Sequence, residues 1–121
     1  MENTVVWFDI PVKNIQRAIE FYGRVLDVEL QVSEMGPSKL AFFPFSPGVA
    51  SGALVEGPGA TPSDKGTLVY LNGGSDLSTP LSRVKSAGGK ILMEKTAIGE
   101  HGFIARFEDL DGNTVALHSA T

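Results

Sequence analysis

Two halves of the chain spell out the same order of secondary structure, and that repeat constrains the fold more than any single residue does. The stretch Thr4–Ile10 is β-branched and aromatic and reads as a strand, with Pro11, which cannot donate to a ladder, at its end. Asn14 is a good N-cap. Ile15, Ala18, Ile19, Tyr22, Val25 and Leu26 follow it at helical spacing, with Gln16, Arg17, Glu20 and Arg24 on the opposite face. Strand-like runs at Val28–Ser33, Lys39–Phe43 and Ala50–Glu56 complete the first half. The order then returns about 62 residues further on, beyond a stretch rich in glycine and proline. Thr67–Asn72 reads as a strand, and Leu77, Leu81, Val84 and Ala87 mark a helix. That helix is capped by Asp76 if Pro80 fits its first turn and by Ser78 if it does not, and Gly88-Gly89 stops it. Strands at Lys90–Lys95, Gly102–Glu108 and Asn113–His118 close the set, the last two joined through Asp109-Leu110-Asp111-Gly112.

A βαβββ unit occurring twice predicts one α+β domain made of two tandem modules, residues 1–56 and 67–121, with a linker at 57–66. The chain's 121 residues leave no room for a second independent core, and its 14 glycines and 7 prolines exclude a helical bundle. With no cysteine there are no disulfides, thiolate metal ligands or cysteine nucleophiles. A net charge of −4 with only 10 scattered Lys and Arg argues against a nucleic-acid backbone as partner. The start, Met1-Glu2-Asn3-Thr4, has no basic leader region, and no apolar run is long enough for a membrane span, so a cytoplasmic protein is expected. The glycines at 57–66 carry no phosphate-loop lysine–serine pattern, and no Gly-x-Ser-x-Gly elbow occurs.

Several words are familiar. Trp7-Phe8-Asp9-Ile10-Pro11-Val12, Arg17-Ala18-Ile19-Glu20-Phe21-Tyr22, Val25-Leu26-Asp27, Ala87-Gly88-Gly89-Lys90 and Asp109-Leu110-Asp111-Gly112-Asn113 resemble the vicinal oxygen chelate superfamily. That group includes glyoxalase, extradiol dioxygenases and bleomycin resistance proteins. The resemblance implies a curved, partly open, eight-stranded barrel-like sheet with a concave cleft for the ligand. It also implies His or Glu metal ligands on the first and last strands of each module. Here the first of those positions falls at Trp7 and the last at Ala116; Thr67 to Tyr70 and Gly52 to Val55 supply no ligand type either. No metal cofactor is expected, and no metal-polarised enediolate or dioxygen chemistry carries over.

Alternation along the strands sorts side chains by face. Val6, Phe8 and Ile10 are read as core, leaving Val5, Trp7 and Asp9 for the cleft. Val69 and Leu71 are core, with Leu68, Tyr70 and Asn72 opposite; Val115 and Leu117 are core, with Thr114, Ala116 and His118 opposite. The candidate ligand-binding residues are therefore Trp7, Asp9, Leu68, Tyr70, Ala116 and His118.

Trp7 and Tyr70 either stack on a flat ligand or fill the barrel, and the same two readings apply to Phe42, Phe43 and Phe45. Asp9 either bonds a ligand or is tied down by a neighbouring donor, since a buried unpartnered charge is too costly. His118 either contacts a ligand or is an ordinary polar residue near the C-terminus. Asp9 and His118, if they share the cleft, should raise the imidazole's pKa. His101 reads as part of a solvated loop, and Glu56 as a strand-end surface charge.

These features point to a small-molecule-binding protein without metal. Two alternatives stand beside it: a metal-dependent lyase or dioxygenase with ligands relocated to Glu56, His101, His118 and Asp9, and a non-catalytic interaction domain. The resemblance, and the open sheet edges that so short a chain must leave, imply a homodimer.

Overall fold

The computed structural model describes residues 3–121; Met1 and Glu2, where the reading of a leaderless start begins, lie outside them. The α+β duplication is present. Strand β1 (Trp7–Pro11), helix α1 (Ile15–Leu26) and strands β2 (Gln31–Met35), β3 (Ser38–Phe42) and β4 (Ser51–Glu56) form one module. Strand β5 (Tyr70–Asn72), helix α2 (Ser78–Val84) and strands β6 (Lys90–Ala97), β7 (Phe103–Glu108) and β8 (Thr114–Ser119) form the other. The eight strands make two open four-stranded sheets of matching order, β1-β4-β3-β2 and β5-β8-β7-β6. In each sheet the module's first strand runs parallel to its last and is left with one free edge.

Helix α1 forms as its sequence dictates. The Asn14 side chain accepts the Arg17 N–H at 3.0 Å, and Ile15, Ala18, Phe21, Tyr22 and Val25 are buried on one face. A second cap comes from Glu56, whose carboxylate accepts the Ile15 N–H at 2.8 Å. Glu56 is thus neither a bare surface charge nor a spare metal ligand; it ties the end of β4 to a helix N-terminus, where negative charge is favoured. The helix ends at Asp27, in the left-handed region at φ 56°, with Val28 N–H on Gly23 O at 3.1 Å.

Tyr22 joins the two modules. Its ring meets Phe43 edge-on at 5.8 Å and lies 6.3 Å from Phe107 on β7, while Phe21 contacts Phe107 at 5.9 Å. Tyr22 and Phe21 are 1% exposed and Phe107 is fully buried, so one continuous core runs between the sheets with α1 inside it. The Tyr22 hydroxyl donates to Asp109 Oδ2 at 2.7 Å. Burial, and then the nearby Asp109 charge, push that phenol well above its ordinary value.

Three strand expectations need correction. Strand β2, expected over Val28–Ser33, runs Gln31–Met35, because those are the residues that meet Ser38–Phe42 across the hairpin. Strand β1 starts at Trp7 and not at Thr4, because its partner β4 begins at Ser51, opposite Trp7, and offers nothing to pair with earlier residues. Val6 is therefore 76% exposed and no part of the core. In the second module β5 is only Tyr70–Asn72, preceded by Val69 O accepting the Ala116 N–H, so Leu68 sits in irregular chain and is half-buried. At α2 neither Asp76 nor Ser78 is the cap residue: the cap position is Leu77, which has no capping side chain. Asp76 just before it accepts the Ser78 N–H at 2.9 Å, and Pro80 is tolerated in the first turn, where its missing N–H has no intrahelical partner to lose.

Lys95 reaches back from β6 to Asp76 Oδ1 at 2.9 Å. The Lys95 hydrogen bond, with that of the Ser78 N–H, lowers the Asp76 carboxyl to about 2. A carboxyl held below its unfolded value near 3.9 contributes stability that is present above that value and lost as pH falls towards the folded one. Between about pH 4 and pH 2, acid unfolding of the wild type should therefore steepen relative to Asp76→Asn. Parallel acid-denaturation curves for the two proteins would count against this.

Candidate functional site

Each sheet has one face against the shared core and one turned away from it. On the first sheet Phe8 and Ile10 point to the core, and Trp7 and Asp9 to the other side, next to Ser51 and Ala53 of β4; the ladder continues from Ala53 to Phe42 of β3. Trp7, Phe42 and Phe45 form a three-ring group, with centroids 5.7 Å (Trp7–Phe42), 5.8 Å (Trp7–Phe45) and 5.9 Å (Phe42–Phe45) apart. The group is not sealed: Trp7 is 37% and Phe45 57% exposed. Asp9 takes the tied-down alternative, its Oδ1 accepting the Trp7 indole N–H at 3.2 Å, which fixes the ring's orientation.

On the second sheet, alternation puts Leu71, Val115, Leu117, Ala105 and Phe107 in the core. The opposite face is built in rows across the strands. One row is Tyr70, Ala116, Arg106 and Met93; the next is Asn72, His118, Ile104 and Thr96. Tyr70 is 48% exposed, whereas Ala116, flanked by Tyr70 and Arg106, has no exposed surface. His118 is half-buried, and its Nε2 lies 2.6 Å from the carbonyl oxygen of His101. His101 itself is in an exposed turn, 3.8 Å from the Glu100 carboxylate, as a solvated loop residue should be.

Trp7 and Asp9 thus lie on one sheet and Tyr70, Ala116 and His118 on the other, with Leu68 ahead of β5. Asp9 and His118 each have their own partner and share no hydrogen bond or ion pair among the described residues. Alternation sorts Trp7 to Pro11, Tyr70 to Asn72 and Thr114 to His118 correctly between the two faces, and the same pattern is present on β7. There Ala105 and Phe107 alternate with Ile104, Arg106 and Glu108, a readable signal that Arg106 faces the outer side.

The donor set does not fit a metal. Among the described residues no three His, Cys, Asp or Glu side chains stand together. Glu56 serves α1, Asp9 serves Trp7, and the His101 ring is exposed away from the sheet faces.

A groove of about 710 Å³ also opens between the modules, floored by Phe8, Phe43 and Leu71 on the core side of the sheets. Its rim is polar: Arg83 donates to Val25 O at 3.0 Å, Asp76 holds Lys95, and Tyr70 and Asn72 of β5 line it as well. The outer faces offer exposed rings, Trp7 and Phe45 on one sheet and Tyr70 on the other, and are the candidate site.

Duplicated βαβββ modules with open curved sheets, an aromatic outer face and no convergent ligand set define a glyoxalase-type scaffold. The family model of the Glyoxalase/Bleomycin resistance protein/Dioxygenase superfamily matches residues 4–117, and the chain belongs to that superfamily. Its fold is similar to a V278E mutant of glyoxalase I from Zea mays, with TM-score 0.75 and 24% identity over 95% of this chain. It spans only 45% of that enzyme's length. It is also similar over its full length to 99% of TnmS3, an antibiotic binding protein from Streptomyces sp. CB03234 (TM-score 0.65, 22% identity). A glyoxylase/bleomycin resistance protein/dioxygenase domain from Frankia sp. EAN1pec gives TM-score 0.70 at 18% identity, covering 100% of this chain and 98% of that one. No curated protein matches the sequence.

Proposed function

We propose that this protein binds a small, flat organic molecule against the outer faces of its sheets, without a metal ion. The observation that carries this is the exposed Trp7–Phe42–Phe45 group, which stands where the resemblance implies the family's first metal ligand. Three rings left open to water are a stacking platform, and the indole held by Asp9 presents a fixed surface. Trp7, Asp9, Tyr70 and His118 belong to this site; Ala116, which has no exposed surface, only spaces Tyr70 from Arg106 across the ladder, and Leu68 borders the site. No residue is assigned a catalytic role. The similar fold of TnmS3, an antibiotic binding protein, supports the ligand-binding reading.

The Trp7 face and the Tyr70–His118 face are on different sheets, and each sheet has a free edge at its first strand, β1 or β5. Open edges invite pairing. A second copy that sets its β5 beside β1 would bring the two half-faces into one cleft, and the protein acts as a homodimer in the cytoplasm, with neither nucleic acid nor membrane as partner. Light scattering at micromolar concentration should give about twice the chain mass of 12.8 kDa. A mass of one chain would contradict the dimer. Calorimetric titration with 2-naphthamide, a neutral flat probe, should show saturable binding that weakens about tenfold or more in Trp7→Ala. Heat changes identical in both proteins would remove the aromatic platform from the account.

A further inference from the structure

We propose that Arg106 makes the outer face of the second sheet a carboxylate-binding subsite, so that the ligand is an aromatic acid and not a neutral arene. This rests on the small-molecule reading above and adds the ligand's charge to it. Arg106 lies in the middle of its face, with Ala116 on one side and Met93 on the other. It is half-buried, and its Nε is shut off from water without a hydrogen-bond partner, the one such buried side-chain atom among the described residues. Buried polar atoms are almost always paired, so an unpartnered Nε donor is a group that a ligand's acceptor would satisfy.

The neighbours explain why it is unpaired. Ala116, directly opposite on β8, has no carboxylate to offer. Glu108, two residues along the same strand, faces the same side but makes no ion pair with it. Glu94, beside Met93 and two residues from Thr96 on β6, is exposed and makes no ion pair with it either, and Tyr70, Thr114, His118, Asn72, Thr96 and Lys90 bring no negative charge.

A guanidinium presents its Nε–Nη edge as two parallel donors that match the two oxygens of a carboxylate. A turn of the terminal side-chain torsions brings that edge off the sheet, and a bound carboxylate then satisfies the orphaned donor and neutralises the charge together. Tyr70, next but one in the same row and 48% exposed, supplies a ring for the ligand's aromatic part. One unpaired cation calls for one negative charge, which suits a carboxylate better than a dianion.

The test compares 2-naphthoate with 2-naphthamide, identical in shape and different in charge, by calorimetry at neutral pH. The wild type should bind the acid at least about tenfold more tightly than the amide. Arg106→Gln should abolish the preference for the acid over the amide, and Arg106→Lys, which keeps the charge but loses the fork, should fall between. On the unmutated protein, the Arg106 Nε–Hε resonance should shift with the acid and stay in place with the amide. This keeps the test decisive if a variant fails to fold. Equal affinity for acid and amide, or an unmoved Nε–Hε signal at saturation, would overturn the carboxylate subsite alone. Binding of neither compound would overturn the small-molecule reading and this inference with it.

Discussion

Replacing Asp109 by alanine should cost this protein about 3–5 kcal/mol, a large share of any small domain's stability. Asp109 is 4% exposed, and its two oxygens take four donors. Oδ2 accepts from the Tyr22 hydroxyl at 2.7 Å and the Asn113 amide at 2.9 Å; Oδ1 accepts the N–H groups of Asp111 and Asn113, each at 2.9 Å. The charge is affordable inside the protein only because each oxygen is doubly bonded. Alanine would leave the phenol, the amide and two turn N–H groups unpaired at once. The turn would also lose its hold on the first module, where Asn113 donates to Pro11 O at 2.7 Å and Asp111 takes Lys13 N–H at 3.0 Å and Arg17 at 3.1 Å. Tyr22→Phe removes one of the four donors and should cost only about 1–2 kcal/mol. Urea unfolding of the three proteins checks the ranking. If Asp109→Ala costs no more than Tyr22→Phe, the network is not what holds the turn.

Gly102→Ala should cost about 3 kcal/mol, combining a left-handed backbone with a clash against fixed main chain. Gly102 has φ 98°, and an added Cβ would strike the Ser119 carbonyl and come within 3.0 Å of Ala120 Cα. Neither neighbour is a flexible tip that could move aside. Gly99, three residues earlier at φ 81° but with open space around it, isolates the conformational part and should cost about 1–2 kcal/mol on the same change. Equal effects at the two glycines in thermal or urea unfolding would show that the close approach at Gly102 is relieved at little cost. The site is coupled to this turn, because the His101 carbonyl that meets His118 Nε2 lies next to Gly102. Gly102→Ala should therefore also shift the His118 ring resonances.

What could be read in the sequence divides along physical lines. Helix α1 is legible from its cap and its spacing, which are local, although the stripe leaves out the buried Phe21 and the αL exit at Asp27 is not marked by a glycine. The faces of β1, β5 and β8 follow from alternation, because a strand's side chains have only two directions to take. Strand ends are different. Val6 looks as apolar as Ile10, but whether it is covered depends on where β4 starts, more than 40 residues away. The same limit hides Glu56, whose role depends on the start of α1 lying within reach, and Asp109, which reads as an ordinary turn aspartate until Tyr22, 87 residues earlier, is beside it. Among site residues, Trp7, Tyr70 and His118 carry visible chemistry. The significance of Arg106 lies in what its neighbours lack, and a lone arginine between apolar residues does not announce that.

The central claim is that ligands bind the aromatic outer face and not the groove between the modules. Trp7 is the only tryptophan in the chain, so its indole N–H gives a single, assigned resonance on that face. During titration of the ¹⁵N-labelled protein with 2-naphthamide, that resonance should move saturably together with the ring protons of Phe42 and Phe45, while the amide signals of Thr79 and Arg83 in the groove stay in place. Saturable shifts confined to those groove residues, with the Trp7 indole unmoved, would contradict the account and put the binding site between the modules.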